Sequence, residues 1–255
     1  MRIIHISGSM IPSRTANSIQ TMKMCQAFAS LGHEVTLLCR KNPKNHLLYE
    51  EVFKFYNVEK CFEINAFPCP SHNKIRGGWG IIFGWQCHKF ISKNSNNIDL
   101  IFGRCDYGIL PATWADIPYI YEAHVLPSNW LHYAIEHKLF RAQSFLGLVV
   151  LSEVLRHEYK RLFPELQGSC ITVAHSGVDI TQHNKSPKPI IPWPGREATL
   201  RVGYVGHLYP RKGIGIVIEL ASRMPNIDFH IVGGTDEACQ VFSGSISNSV
   251  ETLRW

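Results

Sequence analysis

Short apolar segments that alternate with helical patterns constrain the fold of this chain more than any other feature. Residues 3–6, 35–39 and 145–151 are apolar and nearly free of charge, which is typical of strands buried on both faces. Between such segments the apolar residues recur at helical spacing, for example over 18–31. Strands that alternate with helices predict a parallel sheet covered on both faces. The chain is therefore predicted to be an α/β protein.

A proline-rich stretch predicts the domain organisation. Four prolines fall within eight positions of residues 181–198, a composition typical of an extended, semi-rigid linker. We expect a Rossmann-like N-terminal domain at 1–180 and part of a second Rossmann-like domain at 199–255. The first loop has no G-x-G-x-x-G pattern, which disfavours a dinucleotide cofactor.

The second predicted domain is short. After Leu200 the pattern contains strand, turn, helix, strand and a Gly-Gly pair, followed by a Ser/Gly/Asn-rich tract at 243–249. One β-α-β unit cannot bury its own faces, and a complete domain typically needs on the order of 100 residues. We therefore expect the chain to be truncated within this domain.

Composition excludes several classes of protein. With 45% hydrophobic and 18% charged residues in 255, the chain is expected to fold. It has no run of eighteen apolar residues and no signal-peptide core, so we expect a cytoplasmic protein. The eight cysteines form no C-x-x-C pair and are interpreted as free thiols. The net charge of +6 suits phosphates, nucleotide-sugars or an anionic membrane surface, and no nucleic-acid motif is present.

The segment from Gly203 to Gly213 puts two adjacent cations at a strand-to-helix turn. An apolar strand leads into Gly206, then Arg211 and Lys212 precede the next apolar helical run. Such a turn offers free backbone N–H groups and the positive end of a helix dipole. With two cations it suits a diphosphate, although a solvated basic turn would show the same pattern.

Four landmarks occur along the chain: the strand and serine at 149–152, the turn at 173–179, the segment 203–213, and the strand with Gly-Gly at 229–234. In this order they resemble glycosyltransferases of family 4, which have the GT-B fold. The resemblance implies sugar transfer from a nucleotide-sugar to an acceptor hydroxyl with retention, an acceptor-side first domain and a donor-binding second domain. It implies a sugar or lipid-linked acceptor and no metal or other cofactor, because side-chain cations act instead and no D-x-D motif is present.

Site residues follow from the same resemblance. His124 comes just after a predicted strand end, where the family has a histidine that faces the donor sugar, and it is the predicted catalytic residue. Gly206, His207, Arg211 and Lys212 are the predicted donor-binding residues.

Further residues are predicted to lie in the cleft or on the acceptor side. Each has a structural alternative: Asn17 or Ser18 caps a helix, Arg104 forms an ion pair with Glu122, and the turn at 176–179 serves the fold alone. The predicted cleft residues are Asn17, Arg104, Glu122, Gly177 and Asp179.

The stretch 76–93 mixes aromatic and basic residues, as interfacial membrane helices do. Its glycines weaken a helix, and a buried or acceptor-side segment fits equally. A peripheral contact with the inner membrane surface is therefore one of two open interpretations.

The acidic motif of the family, two carboxylates eight residues apart, has no counterpart after Gly234. We therefore expect little or no transferase activity from the chain as it stands. Two other functions stay open: a non-catalytic remnant that retains binding, and a nucleotide-sugar epimerase of GT-B fold. The Arg-Lys-Gly turn favours a transferase over an epimerase.

Overall fold

The structure is a computed structural model that describes residues 1–44, 47–69, 78–166, 170–177, 196, 198–234 and 250–253. The chain divides into two compact units, Met1–Val178 and Asp179–Trp255. Apart from residues 196 and 198, the predicted linker at 181–198 lies outside the described residues.

A seven-stranded sheet forms the centre of the first unit, and all of its strands pair in parallel, as predicted. Its strands are β1 (Arg2–Ile11), β2 (Glu34–Lys41), β3 (Glu63–Phe67), β4 (Leu100–Gly103), β5 (Tyr119–Ala123), β6 (Phe145–Val150) and β7 (Ile171–Val173). They lie in the order β3-β2-β1-β4-β5-β6-β7. The order reverses between β1 and β4, and such a reversal opens a crevice at the carboxyl ends of the strands.

Helices cover both faces of this sheet. The helices α1 (Ala16–Ser30) and α2 (Tyr49–Tyr56) pack on one face, where Met22 and Phe53 are buried. The other face carries α3 (Gly78–Asn94), α4 (Asp106–Ile109), α5 (Ala112–Ala115), α6 (Trp130–Arg141) and α7 (Glu153–Leu162). Apolar side chains from both faces of the strands complete the two cores.

The first strand is longer than its sequence predicts. A loop was expected from Gly8, but β1 continues to Ile11 with a register irregularity between Ile6 and Met10. The hydroxyl of Ser7 lies 3.0 Å from those of both Ser9 and Thr21. Because these buried hydroxyls satisfy one another, polar residues can continue the strand.

Glycines in α3 allow close packing instead of preventing the helix. A Cβ at Gly80 would lie 2.8 Å from the ring of Tyr107, and one at Gly84 would lie 2.6 Å from the Tyr107 carbonyl oxygen. The absent side chains let α3 approach α4 closely, and this contact compensates for the low helix propensity of glycine.

The second unit contains β8 (Arg201–Val205), α8 (Ile214–Arg223), β9 (Asp228–Val232) and β10 (Val250–Leu253). Its three strands are parallel in the order β10-β9-β8, and β10 was not predicted. Leu208, Ile214 and Ile231 form a small core. The backbone and side chain of Arg196 bind the buried Asp228 carboxylate at 2.6 and 2.8 Å, which fixes the entry to β8.

A polar cluster is buried between β5 and α6 in the first unit. Tyr121 donates to Glu136 Oε1 at 2.9 Å, and His132 hydrogen-bonds with Asp106 nearby. Burial raises the pKa of Glu136 to about 7, although hydrogen bonds from Tyr121 and Tyr159 oppose the rise. The cluster therefore contains a carboxyl group that titrates near neutrality in the folded protein.

We predict that Glu136 makes the stability of the first unit fall as the pH rises. The folded-state pKa of Glu136 exceeds the unfolded value of 4.5. Its contribution to the free energy of unfolding is therefore complete below about pH 4.5 and is lost as the pH rises through about 7. The shift corresponds to about 3 kcal/mol. In Glu136→Gln, the free energy of unfolding in urea should decline less between about pH 5 and 8 than in wild type. Glu63→Gln, at an exposed position, is the control, and identical pH dependence of Glu136→Gln and wild type would contradict the prediction.

Candidate functional site

Four side chains close a hydrogen-bonded ring at the carboxyl edge of the first sheet. His124 Nε2 lies 2.7 Å from Glu122 Oε1, and His124 Nδ1 lies 2.9 Å from Arg104 Nη2. Arg104 Nη1 donates to Gln20 Oε1 at 3.0 Å, and Gln20 Nε2 donates to Glu122 Oε1 at 3.3 Å. The structure thus brings together three of the predicted site residues, and Gln20 joins them.

Strand order explains why these residues meet. Arg104 follows β4, its N–H donates to the Ile6 carbonyl of β1 at 2.9 Å, and it therefore stays in line with the sheet. Glu122 lies near the end of β5, the next strand, and Gln20 lies in the helix that follows β1. The ring therefore occupies the crevice that the strand reversal opens.

Opposite charges in the ring are joined through neutral groups. Burial raises the pKa of Glu122, but the hydrogen bond from His124 and the charge of Arg104 together lower it below its ordinary value. Desolvation lowers the pKa of Arg104, and Glu122 opposes this. No direct ion pair joins Arg104 and Glu122 in the part of the chain that the structure describes. The predicted pair is therefore replaced by contacts through Gln20 and His124.

The ring fixes the hydrogen position on His124. A guanidinium only donates hydrogen bonds, so His124 Nδ1 accepts from Arg104. The hydrogen then resides on Nε2, which donates to the carboxylate of Glu122. His124 is accordingly held as the neutral Nε2–H tautomer, with its ring orientation set from both sides.

We predict that the imidazole nitrogen resonances of His124 show the Nε2–H tautomer at about pH 8. His175 provides an internal control, because its Nδ1 lies 3.0 Å from the Leu151 carbonyl oxygen and must donate there. Nitrogen NMR of labelled protein should therefore report opposite tautomers for the two histidines. A hydrogen on His124 Nδ1 would contradict the ring geometry.

In the second unit, the predicted donor turn runs from the end of β8 to the start of α8. Gly213 has φ +81°, a left-handed conformation that favours glycine, and α8 begins after it without a side-chain cap. Arg211 and Lys212 are exposed in a single 3₁₀ turn directly before this helix start. Two cations thus adjoin uncapped backbone N–H groups, an arrangement that favours anions.

Aromatic and backbone contacts order this turn. The Tyr204 hydroxyl donates to the His207 carbonyl oxygen at 2.7 Å, next to Gly206. The His207 ring stacks on Tyr209 with centroids 5.2 Å apart, and the Arg211 guanidinium carbon lies 6.0 Å from the same tyrosine ring. These contacts limit the freedom of the turn before any ligand binds.

Two of the other predicted cleft residues, Asn17 and Gly177, form no hydrogen bond with the ring in the described part of the chain. Asn17 is exposed in the first turn of α1, and Thr15 caps this helix by accepting from the Ser18 N–H at 3.3 Å, so capping by Asn17 or Ser18 was wrong. Gly177 is exposed after β7, and a Cβ there would meet no atom within 4 Å. Asp179 lies outside the described residues.

Gln20 is not among the site residues that the sequence predicts. It is a polar residue between Ile19 and Thr21 in a predicted helix, which on its own indicates only a solvent-facing position. Its role depends on β4 lying beside β1, a tertiary feature that no local pattern contains. The available signal was a polar residue in the helix that follows the first strand.

Comparison with protein families gives one match, to the model described as Glycosyltransferase Family 4, over residues 18–182. This match includes the ring and covers more than half of the chain, so the chain belongs to glycosyltransferase family 4. A comparison with curated proteins gave no match.

Solved structures of GT-B glycosyltransferases share the fold. Anabaena HepE, solved with UDP and glucose, is 14% identical with a TM-score of 0.64, over 100% of this chain and 69% of HepE. Sucrose-phosphate synthase from Thermosynechococcus elongatus is 14% identical with a TM-score of 0.65, and the match covers 100% of this chain and 70% of the synthase chain. WaaG, a glycosyltransferase of lipopolysaccharide biosynthesis, is 15% identical with a TM-score of 0.64, and the match covers 99% of this chain and 70% of WaaG. At such identities the likeness establishes the GT-B fold alone.

Proposed function

We propose that this is a glycosyltransferase-type protein, whose reaction is sugar transfer from a nucleotide-sugar to an acceptor hydroxyl with retention of the anomeric configuration, with little or no turnover expected from the chain as it stands. The observation that carries the proposal is the turn from Gly206 to Gly213, where two cations adjoin an uncapped helix start. Membership of glycosyltransferase family 4 and the likeness to HepE, which is solved with UDP-glucose, support a nucleotide-sugar as the donor.

The donor turn would act on the departing diphosphate. Negative charge grows on this group as the bond to the sugar breaks, and fixed cations stabilise such charge best because they need no rearrangement. Arg211 would provide a two-pronged contact and Lys212 a point charge. With these cations in place the reaction would need no metal, which stays a prediction.

His124 would orient the donor sugar as a neutral group. Both of its ring nitrogens are engaged, one by Arg104 and one by Glu122. A sugar hydroxyl can donate to Nδ1 only by replacing Arg104 there, while Glu122 keeps the ring in place. In this proposal, therefore, Glu122 and Gln20 are positioning residues, and the predicted catalytic role belongs to His124.

We predict that Arg211→Ala and Lys212→Ala each weaken binding of UDP and other nucleoside diphosphates and lower turnover about 10²-fold where turnover is measurable. Arg223→Ala is a matched control, because Arg223 is also an exposed arginine, lies at the far end of α8, and pairs with Glu219 one turn away. Calorimetry with a panel of nucleoside diphosphates measures binding, and product analysis with sugar and lipid-linked acceptors measures transfer. Unchanged binding and turnover in both variants would remove the donor-site assignment.

Binding without transfer across such a panel would assign the chain as a binding module instead. Conversion of a nucleotide-sugar to its epimer without an acceptor would assign it as an epimerase. These outcomes separate the three functions that the sequence leaves open.

We further propose that the first unit contacts an anionic membrane surface at its periphery. An aromatic-basic surface, formed by Ile81, Trp85 and Lys89 of α3, Trp114 of α5 and Lys138 of α6, is exposed on one face of the unit. Lys89 Nζ lies 3.6 Å from the ring centroid of Trp85, and Lys138 Nζ lies 5.2 Å from that of Trp114. His88 joins the helices by an edge contact with Trp114 at 5.5 Å.

This composition fits the interface between lipid and water. Exposed indoles favour the headgroup level of a bilayer, and lysines beside them attract anionic lipids. Residues 76 and 77 of the predicted basic stretch lie outside the described residues. Among those described, no helix has the length and apolarity to cross a membrane. The proposed contact is therefore a surface contact, and it is compatible with a lipid-linked acceptor.

We predict that vesicles of phosphatidylglycerol and phosphatidylethanolamine bind the protein through this surface. Lys89→Glu with Lys138→Glu should reduce the partition coefficient about tenfold or more, because each lysine near such a surface contributes about 1 kcal/mol. Trp85→Ser should reduce it independently of charge. Leu31→Ser and Lys54→Glu are matched controls. Leu31 directly follows α1 and Lys54 lies in α2, both are exposed, and both helices cover the opposite face of the sheet. Co-sedimentation that is equal for all variants would contradict the proposal.

A further inference from the structure

We propose that the first unit contains an anion-binding site built on the guanidinium of Arg40, which would hold a phosphate or carboxylate group. Arg40 is the next-to-last residue of β2, so it lies at the same carboxyl edge of the sheet as the ring around His124. Its side chain is buried, with 4% of its surface exposed. Neither the family resemblance nor the donor site gives this residue a role.

Within the described residues, this guanidinium contacts uncharged groups. Arg40 Nη1 donates to the Gly8 carbonyl oxygen at 3.4 Å, and the guanidinium carbon lies 4.1 Å from the ring centroid of Trp79. The Cys69 thiol lies close enough for the charge of Arg40 to oppose the rise in its pKa that burial causes. The buried Nε has no hydrogen-bond partner among the residues that the structure describes.

No carboxylate compensates the charge of Arg40 in the described part of the chain, where no ion pair includes it. The sequence at 70–77, which leads into α3, contains no Asp or Glu. A buried charge without a counter-charge is costly, and such groups are normally paired or bind a ligand. Arg40 therefore requires an anion that the chain does not supply in this part of the fold.

Trp79 leaves the guanidinium free to bind such an anion. The indole covers one face of the planar group, whereas the N–H groups point outward in its plane, where they form a fork that fits two oxygens of an oxyanion. A Cβ at Gly8 would lie 3.1 Å from Trp79, so the glycine lets the indole lie close to Arg40. In open α/β sheets this edge is also where ligands bind.

The ligand follows from the position of the site. If the first unit binds the acceptor of the proposed transfer, as the family resemblance implies, the oxyanion is a phosphate or an acidic sugar group of that acceptor. That last step rests on the proposed function. The anion site itself rests only on the contacts of Arg40.

The direct test is the Nε–H resonance of Arg40 in labelled protein. It should shift saturably when inorganic phosphate, glucose 1-phosphate or acetate is added, and the three arms distinguish phosphate from carboxylate. The double variant Arg211→Ala/Lys212→Ala serves as the background, so that the donor turn does not contribute. A resonance that responds to none of the three anions overturns the proposal. Because no turnover is needed, the result does not depend on the transferase proposal.

A second measurement separates ligand binding from packing. In buffer without oxyanions, Arg40→Met should melt at a higher temperature than wild type, because it removes an uncompensated buried charge and keeps an apolar chain beneath Trp79. The bound anion should raise the melting temperature of wild type and leave that of Arg40→Met unchanged. Lys41→Met, at the exposed neighbouring position, is the matched control. If Arg40→Met melts at or below the wild-type temperature without oxyanions, Arg40 has a structural role and the proposal fails.

Discussion

The reversal of strand order between β1 and β4 is the constraint on which the chemistry of the first unit depends. It places the end of β4 and the start of α1 on either side of one crevice, and β5 brings Glu122 and His124 to the same place. Because all the strands are parallel, every carboxyl end faces the same edge. Side chains far apart in sequence therefore reach one another across a single row of strand ends.

Two guanidinium groups at this edge have opposite electrostatic surroundings. Arg104 is linked through Gln20 and His124 to Glu122, so its charge is compensated within the chain. Arg40 is more deeply buried, and within the described residues its contacts are with the Gly8 carbonyl and the Trp79 indole. A compensated group is preorganised and costs little to maintain, whereas an uncompensated one lowers stability until a ligand arrives. Arg104 is therefore suited to orient its neighbour His124, whereas Arg40 is suited to bind an anion.

How much of this could be predicted from sequence depends on the range of the interactions. The segments at 35–39 and 145–151 form β2 and β6 close to their predicted bounds, because a continuous apolar run marks a buried strand locally. The extension of β1 was missed, since the hydroxyl of Thr21 satisfies its polar residues from another element. The glycines of α3 misled for the same reason, because their packing partner is Tyr107. Local patterns predicted elements well and contacts between elements poorly.

The candidate sites divide along the same line. The donor turn could be identified from sequence because one short stretch of chain contains all of its residues: Gly206, Arg211, Lys212 and the start of α8. The ring and the Arg40 site have no such stretch, and Gln20 and Arg40 became visible only once the strands were in order. Proteins 14% identical to this chain retain the fold that creates the carboxyl edge. Residues at that edge can therefore change one by one without disturbing a local motif, which is why no local pattern in the sequence marks Gln20 or Arg40.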